Sequence, residues 1–125
     1  MKKLSIVIPC YNESKSIPYL LEQFTEVIGT RDIEVILVDN GSVDETPAVL
    51  AALLPRYQFV KTTRVDKNQG YGFGILSGLR IGTGDFLGWM HADLQSDRLI
   101  ISPHIHPSYV RFFRLLHKSC ARLVL

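Results

Sequence analysis

No aspartate or glutamate follows Asp97, so residues 98–125 carry no acid at all. Long apolar stretches are equally absent. No window approaches the roughly 18 apolar residues needed to span a bilayer, and Lys2 and Lys3 precede only Leu4–Ile8, a run interrupted by Ser5 and ended by Pro9. That is too short for a secretory leader, so a soluble or at most peripheral chain is expected. The two cysteines, Cys10 and Cys120, form no Cys-x-x-Cys pair. They suit a reducing compartment better than a disulfide framework. Two nucleotide-binding signatures are missing as well. A dinucleotide fold needs Gly-x-Gly-x-x-Gly after its first strand, where this chain has Pro9-Cys10-Tyr11-Asn12-Glu13, with an acid where pyrophosphate would approach. Glycines 70, 72, 74 and 78 follow the wrong strand at the wrong spacing, and no Gly-x-x-x-x-Gly-Lys-Ser/Thr loop occurs. Dehydrogenase and P-loop ATPase readings are thereby excluded.

What remains is the balance of a folded protein: 46% hydrophobic and 21% charged residues over 125 positions, enough for one domain with its own core. The net charge of +2 conceals a break. Residues 1–97 hold 9 Lys and Arg against 12 Asp and Glu, a net of −3, whereas residues 98–125 hold 5 basic residues and three of the four histidines. A mildly basic average is therefore no pointer to nucleic acid, and none is expected as a partner.

The hydrophobic pattern alternates in type along the chain. Leu4–Ile8 and Ile33–Val38 are short, continuous apolar runs that read as strands buried on both faces. Between them Ile17, Leu20, Leu21, Phe24, Val27 and Ile28 recur at three and four residues, which predicts a helix over 16–28. A second helix is expected from a cap at Asp44 or Thr46 to Leu54, a third strand over 57–62, a Gly-interrupted helix over 71–81 and a fourth strand over 85–90. Such alternation specifies an α/β domain with a mainly parallel sheet and right-handed crossovers. Ligands of these sheets lie outside the carboxyl ends of the strands, where this sequence places Tyr11-Asn12-Glu13, Asp39-Asn40-Gly41-Ser42 and His91-Ala92-Asp93-Leu94-Gln95. The glycines at 70–78 read as close helix–sheet packing, and Tyr71, Phe73 and Trp89 as core.

Four ordered segments, Leu4–Glu13, Val38–Thr46, Asn68–Gly72 and His91–Asp97, resemble the family 2 glycosyltransferases, and within them the dolichyl- or polyprenyl-phosphate sugar transferases. The resemblance covers residues 4–97. It implies a Rossmann-like GT-A fold that binds a UDP- or GDP-linked sugar and transfers a hexose with inversion to an acceptor such as a polyprenyl phosphate. It also implies a location in the cytoplasm or at the cytoplasmic membrane face. By the same resemblance Pro9, Tyr11, Glu13, Asp39, Asn40 and Asp93 bind the donor, Asp39 through its base or ribose. Asp93 and Gln95 are implied ligands of a divalent cation, Mg²⁺ or Mn²⁺, which bridges the donor's phosphates. Two positions depart from the family pattern: Asn40 stands where a second Asp is often seen, and His91 where the acidic motif usually begins with Asp. His91 is expected to be structural, and Ser42 and Asp44 to shape their loop and cap a helix.

The family pattern stops near Arg98. Without a later acid the chain offers no carboxylate base there, and the catalytic residue is unassigned. Residues 98–125 are expected to be a frameshifted or truncated end, leaving residues 1–97 as the donor-binding part of the domain. Two other readings of this tail are a basic helix over 108–125 that touches a membrane surface and a metal pair at His104 and His106.

Overall fold

The computed structural model describes residues 3–28, 31–92 and 111–114. Strand β1 (Leu4–Cys10), helix α1 (Ser16–Ile28), strand β2 (Ile33–Asn40), helix α2 (Thr46–Leu53), strand β3 (Val60–Val65), helix α3 (Tyr71–Leu79) and strand β4 (Phe86–Trp89) follow one another as α/β crossovers. A short 3₁₀ turn, Leu54–Arg56, extends α2, and β5 (Arg111–Arg114) closes the described chain. The sheet order is β3-β2-β1-β4-β5. Strands β1 to β4 are parallel, and β5 runs antiparallel beside β4.

The two faces of the sheet bury different sets of side chains, as expected for strands covered on both sides. On one face Ile6, Ile8, Val35 and Leu37 meet Ile17, Leu20, Leu21, Phe24 and Ile28 of α1 and Leu50 of α2. On the other, Val7, Ile36, Val38 and Val65 meet Phe73, Leu79 and Trp89. Helix α3 lies close against this second face because Gly78 has no side chain: a Cβ there would stand 2.3 Å from a Val7 methyl and 2.8 Å from a Val38 methyl.

Three expectations are corrected. The third strand occupies Val60–Val65, not 57–62. Tyr57 and Phe59 are apolar because they pack edge to face, with ring centroids 5.8 Å apart, in the turn that leads into the strand. Residues Arg111–Arg114 are a strand, so no continuous helix runs over 108–125. The parallel pairing of β4 with β1 leaves its other edge unpaired, and an added strand satisfies those backbone groups. Tyr71, expected in the core, is 38% exposed. Histidines 104, 106 and 117 lie outside the described residues.

Candidate donor site at the carboxyl edge of the sheet

Strands β1 and β2 end side by side, Cys10 opposite Asp39, and the loops that follow are clamped together. Asn12 adopts a left-handed backbone, φ 53°, a conformation that Asn tolerates better than most residues. Its side-chain Oδ1 accepts the N–H groups of Val43 (3.0 Å) and Asp44 (3.4 Å), while its own N–H donates to Ser42 Oγ (3.0 Å). The Glu13 N–H donates to Thr46 Oγ1 (3.0 Å), and Asp44 Oδ1 accepts the Thr46 N–H (2.8 Å) at the start of α2. These Thr46 contacts hold the Asp44 carboxyl below its ordinary range. The loop shaping expected of Ser42 and Asp44 is present, but the expected capping is not: Glu45 occupies the N-cap of α2 without a side-chain hydrogen bond, and Asp44 stands one residue before it.

Asp39 is 3% exposed. Its Oδ1 accepts the Ser42 N–H at 3.0 Å, and its Oδ2 pairs with the Arg64 guanidinium. A second guanidinium nitrogen of Arg64 donates to the Ser42 carbonyl at 3.4 Å. The charge is thus buried but compensated, as a buried carboxylate requires. Beside it, Gly41 takes φ +75°, and a Cβ there would lie 2.5 Å from the Asn68 nitrogen. Only glycine lets the β3–α3 loop pass this close to the end of β2.

Asn40 is also buried, at 3% exposure. It points to the α3 face, where its Nδ2 donates to the Gly70 carbonyl at 3.2 Å. A Cβ on Gly74 would meet its amide at 3.1 Å, and Asn40 Oδ1 has no hydrogen-bond partner among the described residues. Tyr71, the first residue of α3, stacks on His91 with ring centroids 4.9 Å apart and planes 12° from parallel. Its hydroxyl donates to the Met90 carbonyl at 3.4 Å. Cys10 is no candidate nucleophile, because burial, with the Glu13 and Asp39 carboxylates adding to it, pushes its thiol far up and keeps it protonated.

Of the residues expected from sequence, Pro9 is buried at the end of β1, Tyr11 stands 46% exposed just past it, Glu13 is half-buried, and Asp39 and Asn40 are buried at the end of β2. Together they line one edge. Asp93 and Gln95 lie outside the described residues, which end there at Ala92. Arg64 is the residue that motif reading missed. Its signal is register: Arg64 is the β3 partner of Asp39.

The sequence matches the profile of Glycosyl transferase family 2 over residues 5–106. The chain belongs to glycosyltransferase family 2. Its match runs on past position 97, where the acids end. Among curated relatives, the undecaprenyl-phosphate 4-deoxy-4-formamido-L-arabinose transferase of Enterobacter sp. (strain 638) is 39% identical over 99 residues, 75% of this chain and 30% of that protein. The enzyme of the same name from Serratia proteamaculans (strain 568) is 37% identical, over 77% of this chain and 30% of the relative. This family 2 chain therefore spans about 30% of the length of the curated relatives it matches.

Solved structures agree with the fold. The mannosyltransferase PcManGT from Pyrobaculum calidifontis, in complex with GDP-Man and Mn²⁺, superposes with a TM-score of 0.68 at 25% identity, over 74% of this chain and 28% of that one. S. aureus TarS 1–349 in complex with UDP-GlcNAc gives 0.63 at 26% identity, over 73% and 26%. The α/β architecture is thus that of the GT-A glycosyltransferases. Among the described residues no helix is long and apolar enough to cross a membrane.

Proposed function

We propose that this chain is the nucleotide-sugar-binding part of an inverting glycosyltransferase that moves a sugar from a UDP- or GDP-linked donor to a polyprenyl phosphate at the cytoplasmic membrane face. The observation that carries the reading is the convergence at one carboxyl edge: Pro9, Tyr11 and Glu13 after β1, with Asp39 and Asn40 ending β2. Family membership gives that edge its chemistry. Relatives named for undecaprenyl phosphate support the lipid acceptor, and structural neighbours holding GDP-Man and UDP-GlcNAc support the donor class and a hexose. The relatives' own names specify an arabinose derivative, so the donor sugar is assigned as a class only.

In this reading Tyr11, with its ring exposed, covers the base, and Asp39 accepts hydrogen bonds from the base or ribose through the lone pairs left by Ser42 and Arg64. A divalent cation would neutralise the donor's phosphates as the leaving group departs. Asp93 and Gln95 would hold it, their carboxylate and amide oxygens being the donors that Mg²⁺ or Mn²⁺ takes. Mn²⁺ in the PcManGT complex makes it the first ion to try. Among the described residues no three His, Cys, Asp or Glu side chains gather at a metal site.

The test is transfer by the purified chain of labelled sugar from UDP- and GDP-hexoses to a short polyprenyl phosphate with Mn²⁺ present. Lipid-linked product that disappears in Asp39→Ala supports the reading in full. Donor binding without product supports a binding part that needs further chain for transfer. Failure to bind either nucleotide class contradicts both.

A further inference from the structure

The two places where this chain departs from the family pattern, Asn40 and His91, meet the same short segment. Asn40 Nδ2 donates to the carbonyl of Gly70, the residue that precedes α3. The next residue, Tyr71, stacks on the His91 ring and donates to the Met90 carbonyl. Each departure is chemically necessary for its contact. An aspartate at 40 is acceptor-only when ionised and has nothing to give a carbonyl oxygen, and an aspartate at 91 has no ring to stack.

The contacts join the end of β2 to the end of β4 through the start of α3. On the β4 side the backbone is further fixed by the Met90 N–H, which donates to the Val7 carbonyl at 3.0 Å, and by burial of Ala92 at 4% exposure. Gly70 can enter this arrangement because it takes φ +100°, with its own N–H held by Asn68 Oδ1 at 2.8 Å. The rings themselves lie at the surface, Tyr71 being 38% exposed, so they add little to the core. Two exposed rings and a solvent-facing hydrogen bond are a modest source of stability, but they fix the exposed side of a segment whose Met90 and Ala92 pack against the core.

We infer that Tyr71 is a positioning residue for the donor site: acting through the stacked His91 ring and the Met90 carbonyl, it holds segment 90–92 in register with Asp39. This rests on the donor reading above. It also makes the two departures a matched pair, since Asn40 anchors the backbone from which Tyr71 projects.

The experiment uses the full chain and the variants Tyr71→Ala, Tyr71→Phe, His91→Ala and Asn40→Asp. It measures nucleotide dissociation constants by calorimetry, thermal midpoints, and amide hydrogen exchange at residues 90–92. Tyr71→Ala and His91→Ala should each weaken nucleotide binding about tenfold and speed exchange at 90–92, with thermal midpoints unchanged. Combining Tyr71→Ala with His91→Ala should bind no worse than Tyr71→Ala alone, because that substitution already removes the stack. Tyr71→Phe keeps the stack and should stay within about twofold of the parent, whereas Asn40→Asp should speed exchange at 70–72 as well as at 90–92. Native affinity in Tyr71→Ala, or a loss that tracks a falling thermal midpoint in every variant, overturns the inference. If the parent chain binds no nucleotide, the donor reading fails by itself, and exchange at 90–92 still decides: unchanged protection in Tyr71→Ala overturns the positioning role of Tyr71.

Discussion

Arg64 on the edge strand β3 is the register partner of Asp39 at the end of β2, and its guanidinium pairs with the buried carboxylate while reaching the Ser42 carbonyl. The residue expected to read the donor is therefore pre-oriented by a cation before any ligand arrives. Removing the cation leaves a buried charge with one hydrogen bond. Arg64→Ala should lower stability by about 1–3 kcal/mol, at the lower end because the Arg64 side chain is 43% exposed. It should also weaken nucleotide binding. Chemical denaturation and calorimetry on the same preparation check both effects, and Arg64→Lys should recover only part of the binding because one ammonium cannot span both acceptors.

The glycines of α3 are predicted to respond with opposite signs. A Cβ at Gly78 would collide with Val7 and Val38 methyls, whereas one at Gly72 meets nothing within 4 Å. Gly78→Ala should therefore destabilise by about 1–3 kcal/mol through overpacking. Gly72→Ala should stabilise by up to about 1 kcal/mol, since alanine is the better helix former. Urea midpoints of the two variants measure the contrast.

Acid should loosen the opposite edge of the sheet. Glu34 is buried there, and burial alone would raise its pKa. Hydrogen bonds from Lys61, Ser5 and the Thr83 backbone and hydroxyl outweigh this and hold it at about 2 instead of 4.5. A depressed folded-state pKa contributes stability that is complete above about pH 4.5 and is lost as pH falls toward 2. The amount is on the order of 2 kcal/mol once solvent screening is allowed for. Denaturation midpoints between pH 6 and pH 2 should fall steeply for the parent chain and more gently for Glu34→Gln.

Asn12 combines a left-handed backbone with three hydrogen bonds to the β2–α2 loop. Asn12→Ala loses the side-chain acceptor and places an ordinary residue at positive φ, a combined cost of about 2 kcal/mol. Asn12→Gly loses only the acceptor and should cost less. If alanine and glycine prove equal in thermal unfolding, the backbone contribution assigned to this turn is wrong.

The architecture was legible because buried parallel strands are continuous apolar runs: β1, β2 and α1 lie where their patterns put them. Strand β3 was misplaced because an edge strand made of Lys61, Thr62, Thr63 and Arg64 has no apolar run to find, while Tyr57 and Phe59 mimic one in the preceding turn. The loop motifs showed which residues gather at the carboxyl edge. They could not show Arg64 or Tyr71, whose roles come from strand register and from a stacking contact across 20 residues of sequence. The β5 pairing was unreadable for a similar reason, because antiparallel addition at an edge is decided by the strand it joins.

Titration calorimetry of the chain with UDP- and GDP-sugars, with and without Mn²⁺, tests the central claim most directly. Saturable binding of one nucleotide class, strengthened by Mn²⁺ in the parent chain but not in Asp93→Ala, and abolished in Asp39→Ala, is the result expected of a family 2 donor site at this edge. Absence of binding to either class, or binding indifferent to Asp39, would contradict it.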